Sequence, residues 1–313
     1  MINVAIEAAR EAGKFLKESV GKVRRIETKE GEERNLVSEI DRGSEEKIIS
    51  LIRRHYPTHG ILAEESGGSG PDAEYKWIID PLDGTTNFLH GLPVFCVTIG
   101  IEHRGEIIAG VVYDPNQDIL FTAEKGSGAY MNGRRMSVSK TEKLINSLLM
   151  TGFPYDVAQN PEHAVEHFVN FLMEARGIRR FGSAALDLCY VAAGRLDGFW
   201  EVNLHPWDMA AGILLVTEAG GKVSDFVGAP LSIYGKRVVA SNGVIHDAMV
   251  RVLGTKAGGG SKPLDHVEEE DSEHPQEHER ENRRNPHEGE SLFRFLCVDR
   301  ADRVRLHHHV PRD

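Results

Sequence analysis

The stretch WIIDPLDGTTNF, residues 77–88, joins a short apolar run to two aspartates three positions apart and then to Gly-Thr-Thr. The apolar residues 77–79 predict a buried β-strand. Pro81 prevents its regular continuation, because proline fixes φ and removes a backbone hydrogen-bond donor. Asp80 and Asp83 are therefore expected at the end of the strand and in the turn that follows, where both can point toward one spot.

Two clustered carboxylates repel each other unless positive charge lies between them. A hard divalent cation meets that need, and the carbonyl of Leu82 offers a third oxygen from the same turn. No His or Cys stands among these acids, which favours Mg²⁺ over zinc. The backbone N–H groups of Gly84, Thr85 and Thr86 can receive a phosphate next to the metal. The alternative interpretation is a Pro-Asp-Gly turn that only joins two strands.

Further acids stand at the ends of predicted elements in both halves of the chain. Glu64 and Glu65 follow the apolar run ILA, and Asp208 stands at the start of a predicted helix in HPWDMAAG. Asp41 precedes a helix that is expected to begin near Ser44. Alone, Asp208 and Asp41 would be read as helix caps. Together with the aspartate pair, these acids indicate one shared cleft.

Three parts follow one another along the chain. Residues 1–140 predict two amphipathic helices and an antiparallel meander, which is an α+β arrangement. Residues 141–256 alternate strands with helices, which indicates an α/β arrangement. Residues 257–313 are rich in charge, His and Pro and are predicted to be disordered, because they cannot bury enough apolar surface to offset chain entropy.

The composition excludes several classes of protein. The chain has 313 residues, 40% of them hydrophobic, and can build a substantial core; its net charge of −11 argues against a broad nucleic-acid-binding surface. No apolar run approaches the ~18 residues of a membrane span, and the amphipathic N-terminus lacks a signal-peptide core. Cys96, Cys189 and Cys297 lack metal-ligand spacing, which indicates a reduced, cytoplasmic protein.

The motifs AEES, WIIDPLDGTTNF, GSAALDLCYVAAGRLDGFWE and HPWDMAAGILLVTEAGG resemble those of the inositol monophosphatase family, the lithium-sensitive, Mg²⁺-dependent phosphatases. The resemblance runs from the first helix to about residue 256 and does not cover the tail. It implies a layered αβαβα sandwich of the inositol monophosphatase and fructose-1,6-bisphosphatase type, commonly a homodimer. It also implies two or three Mg²⁺ ions in each active site.

The resemblance assigns roles to residues at matching positions. The implied metal ligands are Glu64, Asp80, the Leu82 carbonyl, Asp83 and Asp208. Gly84 and Thr85 would bind the phosphate, and Asp41 and Thr85 would orient and deprotonate the attacking water, with support from Glu65. The alcohol part of the substrate would contact Gly182, Ser183, Ala184 and Glu201. Ala63 stands where the family often has glycine, a small departure that leaves the metal assignment in place.

The implied function is hydrolysis of inositol monophosphate. Fructose 1,6-bisphosphate, histidinol phosphate and a 3′-phosphoadenosine nucleotide are alternative substrates for the same chemistry. Glu201 favours a polyol, since a carboxylate can accept two adjacent hydroxyl donors, but a sugar offers such hydroxyls too. The partner is therefore expected to be a small phosphorylated polyol or sugar, with no nucleic acid and no membrane. A non-catalytic interaction protein on the same fold is the alternative of another class.

Overall fold

A computed structural model describes residues 1–29, 32–70 and 73–255 of the chain. Side chains are described for these residues except 29 and 32–35. The predicted disorder of residues 257–313 lies outside the described residues.

The described part of the chain contains seven α-helices and fifteen strands. The helices are α1 (Ile2–Ser19), α2 (Glu39–His55), α3 (Thr85–Leu89), α4 (Ala164–Glu174), α5 (Ala184–Ala192), α6 (Pro206–Glu218) and α7 (His246–Leu253). The first ten strands are β1 (Ile26–Lys29), β2 (Glu32–Ser38), β3 (Gly60–Ala63), β4 (Gly67–Ser69), β5 (Tyr75–Asp83), β6 (Cys96–His103), β7 (Glu106–Asp114), β8 (Ile119–Glu124), β9 (Gly128–Met131) and β10 (Arg134–Arg135). The last five are β11 (Leu148–Thr151), β12 (Gly177–Arg179), β13 (Gly198–Val202), β14 (Lys222–Ser224) and β15 (Arg237–Ser241).

An eight-stranded sheet has the strand order β10-β9-β8-β7-β6-β5-β3-β4. Strands β5 to β9 pair antiparallel in succession, which confirms the predicted meander. β3 instead runs parallel to β5. Parallel neighbours end at the same edge of a sheet, so the residues that follow β3 lie beside the end of β5.

A five-stranded sheet has the order β12-β11-β13-β15-β14 and mixes parallel with antiparallel pairs. Helices α5 and α6 lie between the two sheets, α1 and α2 cover the outer face of the large sheet, and α4 and α7 cover the outer face of the small one. The layers therefore follow the order αβαβα, which confirms the predicted sandwich.

Helix α6 explains why the two sheets share an interior. Its residues Met209, Leu215 and Val216 are fully buried, and every residue in its central part, 209–216, is apolar. A helix that is apolar all round must be covered on all sides. The helix ends in a left-handed C-cap, since Gly220 has φ +88° after the last turn.

The division predicted at residue 140 stays a prediction. Along the chain, the large sheet ends at Arg135 and the small sheet begins at Leu148. A single cluster of buried residues nevertheless includes Phe121 from the large sheet and Phe199 from the small one. Among the described residues, no helix combines the length and apolar character needed to cross a membrane.

Candidate active site

The aspartate pair lies where strand β5 is irregular. Asp80 pairs with Thr98 and Asp83 pairs with Cys96, so three steps on β5 oppose two steps on β6. Side chains of a regular strand alternate between faces, which would send positions three apart to opposite sides. The extra residue of this bulge, next to Pro81, allows both carboxylates to face one cleft.

Each aspartate uses part of its hydrogen-bonding capacity to hold its own position. Asp80 Oδ1 accepts a bond of 2.9 Å from the Leu82 backbone N–H. Asp83 Oδ2 accepts bonds from the Ser183 hydroxyl at 2.6 Å and the Ala185 N–H at 2.8 Å. The start of α5 therefore fixes one oxygen of Asp83.

Gly84 follows with a backbone that favours glycine. Its φ is +94°, and a Cβ at this position would lie 2.8 Å from the Val94 carbonyl oxygen. Both conditions exclude a side chain. Gly84 thus lets the chain turn sharply from the aspartates into α3, and it lines the cleft together with Thr85.

Glu64 and Asp208 come to the same place from two other elements. Glu64 follows β3, its backbone N–H bonds the Ile79 carbonyl at 3.2 Å, and its side chain shares a hydrogen bond with Asp80. Asp208 lies in the first turn of α6 and accepts a 2.6 Å bond from the His205 N–H. Asp208 is therefore a helix cap and a wall of the acidic cleft at once.

Helix α2 brings a third segment to the cleft, and here one expectation is wrong. The helix begins at Glu39 rather than near Ser44, and Ser38 is its N-cap. Asp41 is the third residue of the helix and forms a capping box with Ser38. Its carboxylate accepts bonds from the Ser38 N–H at 2.8 Å and from the Ser38 hydroxyl at 2.5 Å. A serine followed three residues later by an acid is the sequence signal of this capping box, and it places the helix start at residue 39.

Asp41 and Thr85 form a buried pair. The Thr85 hydroxyl lies 3.0 Å from Asp41 Oδ1 and 3.1 Å from the Leu82 carbonyl oxygen, and it can donate to either. Burial raises the pKa of Asp41, although the bonds from Ser38 oppose this rise. A carboxylate with a raised pKa is a better proton acceptor.

The buried polar face of α2 also holds the two acidic turns. The Ser44 hydroxyl donates to the Pro81 carbonyl at 2.8 Å. Glu45, which is 3% exposed, accepts bonds from the backbone N–H groups of Glu65 at 2.8 Å and Ser66 at 2.9 Å. One helix thus fixes the segments that carry Asp80, Asp83 and Glu64.

Glu45→Gln is expected to weaken divalent-metal binding about tenfold or more, while the fold is kept. Glutamine has only one acceptor oxygen, so one N–H of the turn after Glu64 would face an amide N–H₂. Loss of a group that orients metal ligands costs typically 10- to 100-fold in metal affinity. Titration calorimetry with Mg²⁺ or Mn²⁺ measures this change.

Glu46→Gln is the matched control, because Glu46 is the next residue of α2 and is exposed. It removes the same charge and should leave metal affinity near that of the original chain. Equal affinities for all three proteins would contradict the positioning role of Glu45.

The predicted substrate-contacting residues line one cleft of about 920 Å³ with Glu64, Asp83 and Asp208. Burial raises the pKa of Glu201 to about 8, against the lowering effect of Arg180. Gly152 leaves room for this carboxylate, since a Cβ there would overlap it. Gly182 and Ala184 also line the cleft, while the Ser183 hydroxyl bonds Asp83 and caps α5.

The structure places every predicted site residue in or beside this cleft, but their roles stay predictions. Glu65 is held by its backbone through Glu45. Sequence reasoning missed Glu45 and Asp187. Asp187 stands inside the motif GSAALD, one turn after Ser183, and this acid in an otherwise apolar helix was the signal that could have been used.

The donor set fits a hard divalent cation, because it consists of carboxylate and carbonyl oxygens. Burial, followed by the charge of Glu64, raises the pKa of Asp80 and of Asp208 well above the ordinary value. Burial likewise raises the pKa of Asp83 to about 6. None of these three aspartates forms an ion pair with Lys or Arg in the described part of the chain.

Within residues 1–29, 32–70 and 73–255, no three His, Cys, Asp or Glu side chains already have the arrangement of a finished metal site. Glu64 and Asp80 instead share a hydrogen bond between carboxyl groups. A cation between these two side chains would replace that bond and relieve their repulsion. These acids thus supply the oxygen ligands that a divalent cation needs, and they lie close together. Binding of the cation would bring them into the final ligand geometry.

Comparison with known proteins adds independent findings. The model of the Inositol monophosphatase family matches residues 1–256. The chain is 45% identical over 258 residues to Nus factor SuhB of Pseudomonas aeruginosa, covering 81% of this chain and 95% of the relative. It is 44% identical over 254 residues to inositol-1-monophosphatase of Mesorhizobium japonicum, covering 81% and 96%. The solved inositol monophosphatase of Anabaena (Nostoc) sp. matches with TM-score 0.74 and 45% identity over 80% of this chain and 94% of that one.

Proposed function

The chain belongs to the inositol monophosphatase family, and from this premise we propose that it is a Mg²⁺-dependent phosphatase that hydrolyses inositol monophosphate to inositol and phosphate. The observation that carries the proposal is the meeting of the Asp80–Asp83 turn with the Asp41–Thr85 pair beside Gly84. An acidic, cation-binding turn next to a buried proton acceptor is the arrangement that hydrolysis of a phosphate ester by water requires.

Glu64, Asp80, the Leu82 carbonyl, Asp83 and Asp208 would hold the Mg²⁺ ions, two or three in number. When bound, Mg²⁺ lowers the pKa of water and neutralises charge on phosphoryl oxygens. The protein's own groups activate the water, bind the phosphate and hold the alcohol.

Thr85 and Asp41 orient and deprotonate the attacking water. The Thr85 hydroxyl donates to Asp41 Oδ1 at 3.0 Å, which leaves its lone pairs free to accept from water. The water proton then passes to Thr85 as the Thr85 proton passes to Asp41. Water attacks phosphorus, the bond to the alcohol oxygen breaks, and this oxygen leaves with a proton from solvent. No covalent enzyme intermediate is required.

The backbone N–H groups of Gly84 and Thr85 donate to phosphoryl oxygens. Fixed donors stabilise the charge that develops on these oxygens without having to reorganise during the reaction. At the opposite side of the cleft, Gly182, Ser183, Ala184 and Glu201 receive the alcohol part of the substrate.

Glu201→Gln is expected to lower kcat/KM for inositol monophosphate more than for an aryl phosphate. Above about pH 8, where Glu201 carries its charge, a hydrogen bond from a substrate hydroxyl to this carboxylate is worth roughly 1.5–3 kcal/mol, about a 10- to 100-fold loss, and the aryl ester has no such hydroxyl. The measurement is kcat/KM for both esters in both proteins. Equal losses would mean that Glu201 serves the fold or the metal site instead.

A panel of phosphomonoesters tests the substrate itself. Phosphate release is measured with and without Mg²⁺ for inositol monophosphate, fructose 1,6-bisphosphate, histidinol phosphate and a 3′-phosphoadenosine nucleotide. We expect the highest kcat/KM for inositol monophosphate and inhibition by lithium. A higher value for another ester would keep the mechanism and replace the substrate.

We also propose a homodimer. Helix α4 supports it, because Val165, Val169, Leu172 and Met173 are exposed at helical spacing and form an apolar strip that a second copy could cover. Light scattering of the purified protein measures the mass in solution and decides between one copy and two.

The P. aeruginosa relative is named Nus factor SuhB, so a non-catalytic function as an interaction protein is the second candidate. The buried acids favour catalysis, since a scaffold has no physical need for several carboxylates that repel one another. Phosphate release in the presence of Mg²⁺ separates the two functions, because an interaction protein without catalysis would release none.

A further inference from the structure

Asp187 is a buried acid in the cleft wall that the mechanism above does not use. It lies in α5, is 1% exposed, and lines the same cleft as Glu201. Its Oδ1 atom has no hydrogen-bond partner among the described residues. Burial of a polar atom without a partner is unfavourable, so this oxygen needs an explanation.

The carboxyl group of Asp187 lies among other charged groups of the cleft. Burial raises the pKa of its carboxyl group well above the ordinary value, and the charges of Glu201 and Asp83 raise it further, while Arg180 lowers it. Among these neighbouring charges, that of Glu201 has the largest effect on Asp187. Burial thus favours the protonated form of this carboxyl group, which can both donate and accept a hydrogen bond.

Arg180 and Gly152 shape the same end of the cleft. Arg180 lines it and forms no ion pair within the described part of the chain, and Gly152 leaves space for the Glu201 carboxylate. Two carboxyl groups and a guanidinium group there offer several donors and acceptors for neutral hydroxyls. A simple core position would need none of them.

We propose that Asp187 is a further specificity-determining residue, whose carboxyl group accepts a hydrogen bond from a hydroxyl of the substrate next to the hydroxyl held by Glu201. This inference rests on the proposed phosphatase function and narrows its substrate class to phosphomonoesters that carry at least two neighbouring hydroxyls. Esters that lack the second hydroxyl leave the Asp187 oxygen without a partner and are disfavoured.

Two substitutions test the proposal. Asp187→Leu keeps the number and branching of the side-chain heavy atoms and removes both oxygens, while Asp187→Asn keeps an acceptor and a donor. We expect Asp187→Leu to raise KM for inositol monophosphate about tenfold, the effect of one lost hydrogen bond, and to raise KM for p-nitrophenyl phosphate much less. Asp187→Asn should stay within about threefold of the original chain for both esters.

The melting temperature supplies a second readout. Removal of a buried polar atom without a partner should leave the free Asp187→Leu protein as stable as the original or more stable. Inositol monophosphate should raise the melting temperature of the original chain more than that of Asp187→Leu. Equal ligand-induced shifts, or equal KM changes for the two esters, would overturn the proposal and leave Asp187 a residue of the fold.

The proposed function fails separately from this inference. If the original chain releases phosphate from p-nitrophenyl phosphate but not from inositol monophosphate, the substrate assignment is wrong. The thermal shift with inositol monophosphate then still tests Asp187, because it measures binding without turnover.

Discussion

Asp83→Asn is expected to lower Mg²⁺-dependent phosphate release by at least about 100-fold while the fold stays intact. Asparagine keeps an oxygen that can accept from the Ser183 hydroxyl and the Ala185 N–H, which bond Asp83 at 2.6 and 2.8 Å. Its amide N–H₂ then faces the cleft, where an anionic oxygen was available to a cation. Removal of one group that stabilises the reaction electrostatically costs typically 10²- to 10³-fold in kcat.

The metal-free variant should be at least as stable as the original chain above pH 6. Burial raises the pKa of Asp83 to about 6, so the folded chain retains a proton that the unfolded chain has released. This contribution to stability is present below the ordinary pKa near 4 and is lost as pH rises through about 6. Asparagine does not titrate, and the difference in melting temperature between the two proteins should therefore grow between pH 4 and pH 7.

With Mg²⁺ present, the original chain should become more stable than Asp83→Asn, since a ligand stabilises the folded state more strongly the higher its affinity. Thermal melts across a Mg²⁺ titration and phosphate assays on both proteins measure the two effects. Asp114→Asn is the matched control: Asp114 is buried like Asp83, but it is bound to Asn116 and Gln117 in a turn away from the cleft. Full turnover of Asp83→Asn with an unchanged Mg²⁺ response would mean that Asp80 and Asp83 only shape the turn and do not bind the metal.

The aspartate pair shows what local sequence can predict. An apolar run, a proline and two acids lie within seven residues, so their consequence depends mostly on local backbone geometry. The meander was predictable for a similar reason, since its strands are joined by short turns and pair with their neighbours in sequence. Helix α6 was predictable because it is apolar on every side.

Glu45 shows what local sequence cannot predict. On an amphipathic helix, a glutamate between Ser44 and Glu46 looks like part of the solvent-facing side. It is buried because the backbone N–H groups of Glu65 and Ser66, some twenty residues away, lie opposite and donate to its two carboxylate oxygens. Strand β15 is hard to predict for a related reason, as it is short and pairs with β13 across about 40 residues of chain.

For Asp187 and Asp41 in the cleft, too, the local sequence does not reveal which groups the side chain faces. Both are acids near a helix start, where capping is the ordinary explanation. Asp41 does take part in a capping box, and its other oxygen reaches Thr85 from 44 residues away. Only the fold distinguishes an acid that caps a helix from one that caps it and also faces a cleft.

Thr85→Val is expected to lower kcat for inositol monophosphate about 10²- to 10⁴-fold with little change in KM, the range for loss of a positioned proton-transfer group. Valine has nearly the same shape, and Thr85 is 8% exposed, so the fold should be kept. Asp41 retains its two bonds from Ser38 but loses the Thr85 donor, which should cost about 1–3 kcal/mol of stability.

Thr85→Ser is the control that separates the hydroxyl from the shape of the side chain. Serine keeps the hydroxyl 3.0 Å from Asp41 within reach and should retain turnover within about tenfold, whereas valine keeps the shape and loses the proton path. Single-turnover phosphate release for the three proteins at saturating Mg²⁺ isolates the chemical step from substrate binding. If valine is as active as threonine, Asp41 and Thr85 only hold α2 against the aspartate turn. If serine is as inactive as valine, the methyl group matters more than the hydroxyl, and water activation must depend on other groups of the cleft.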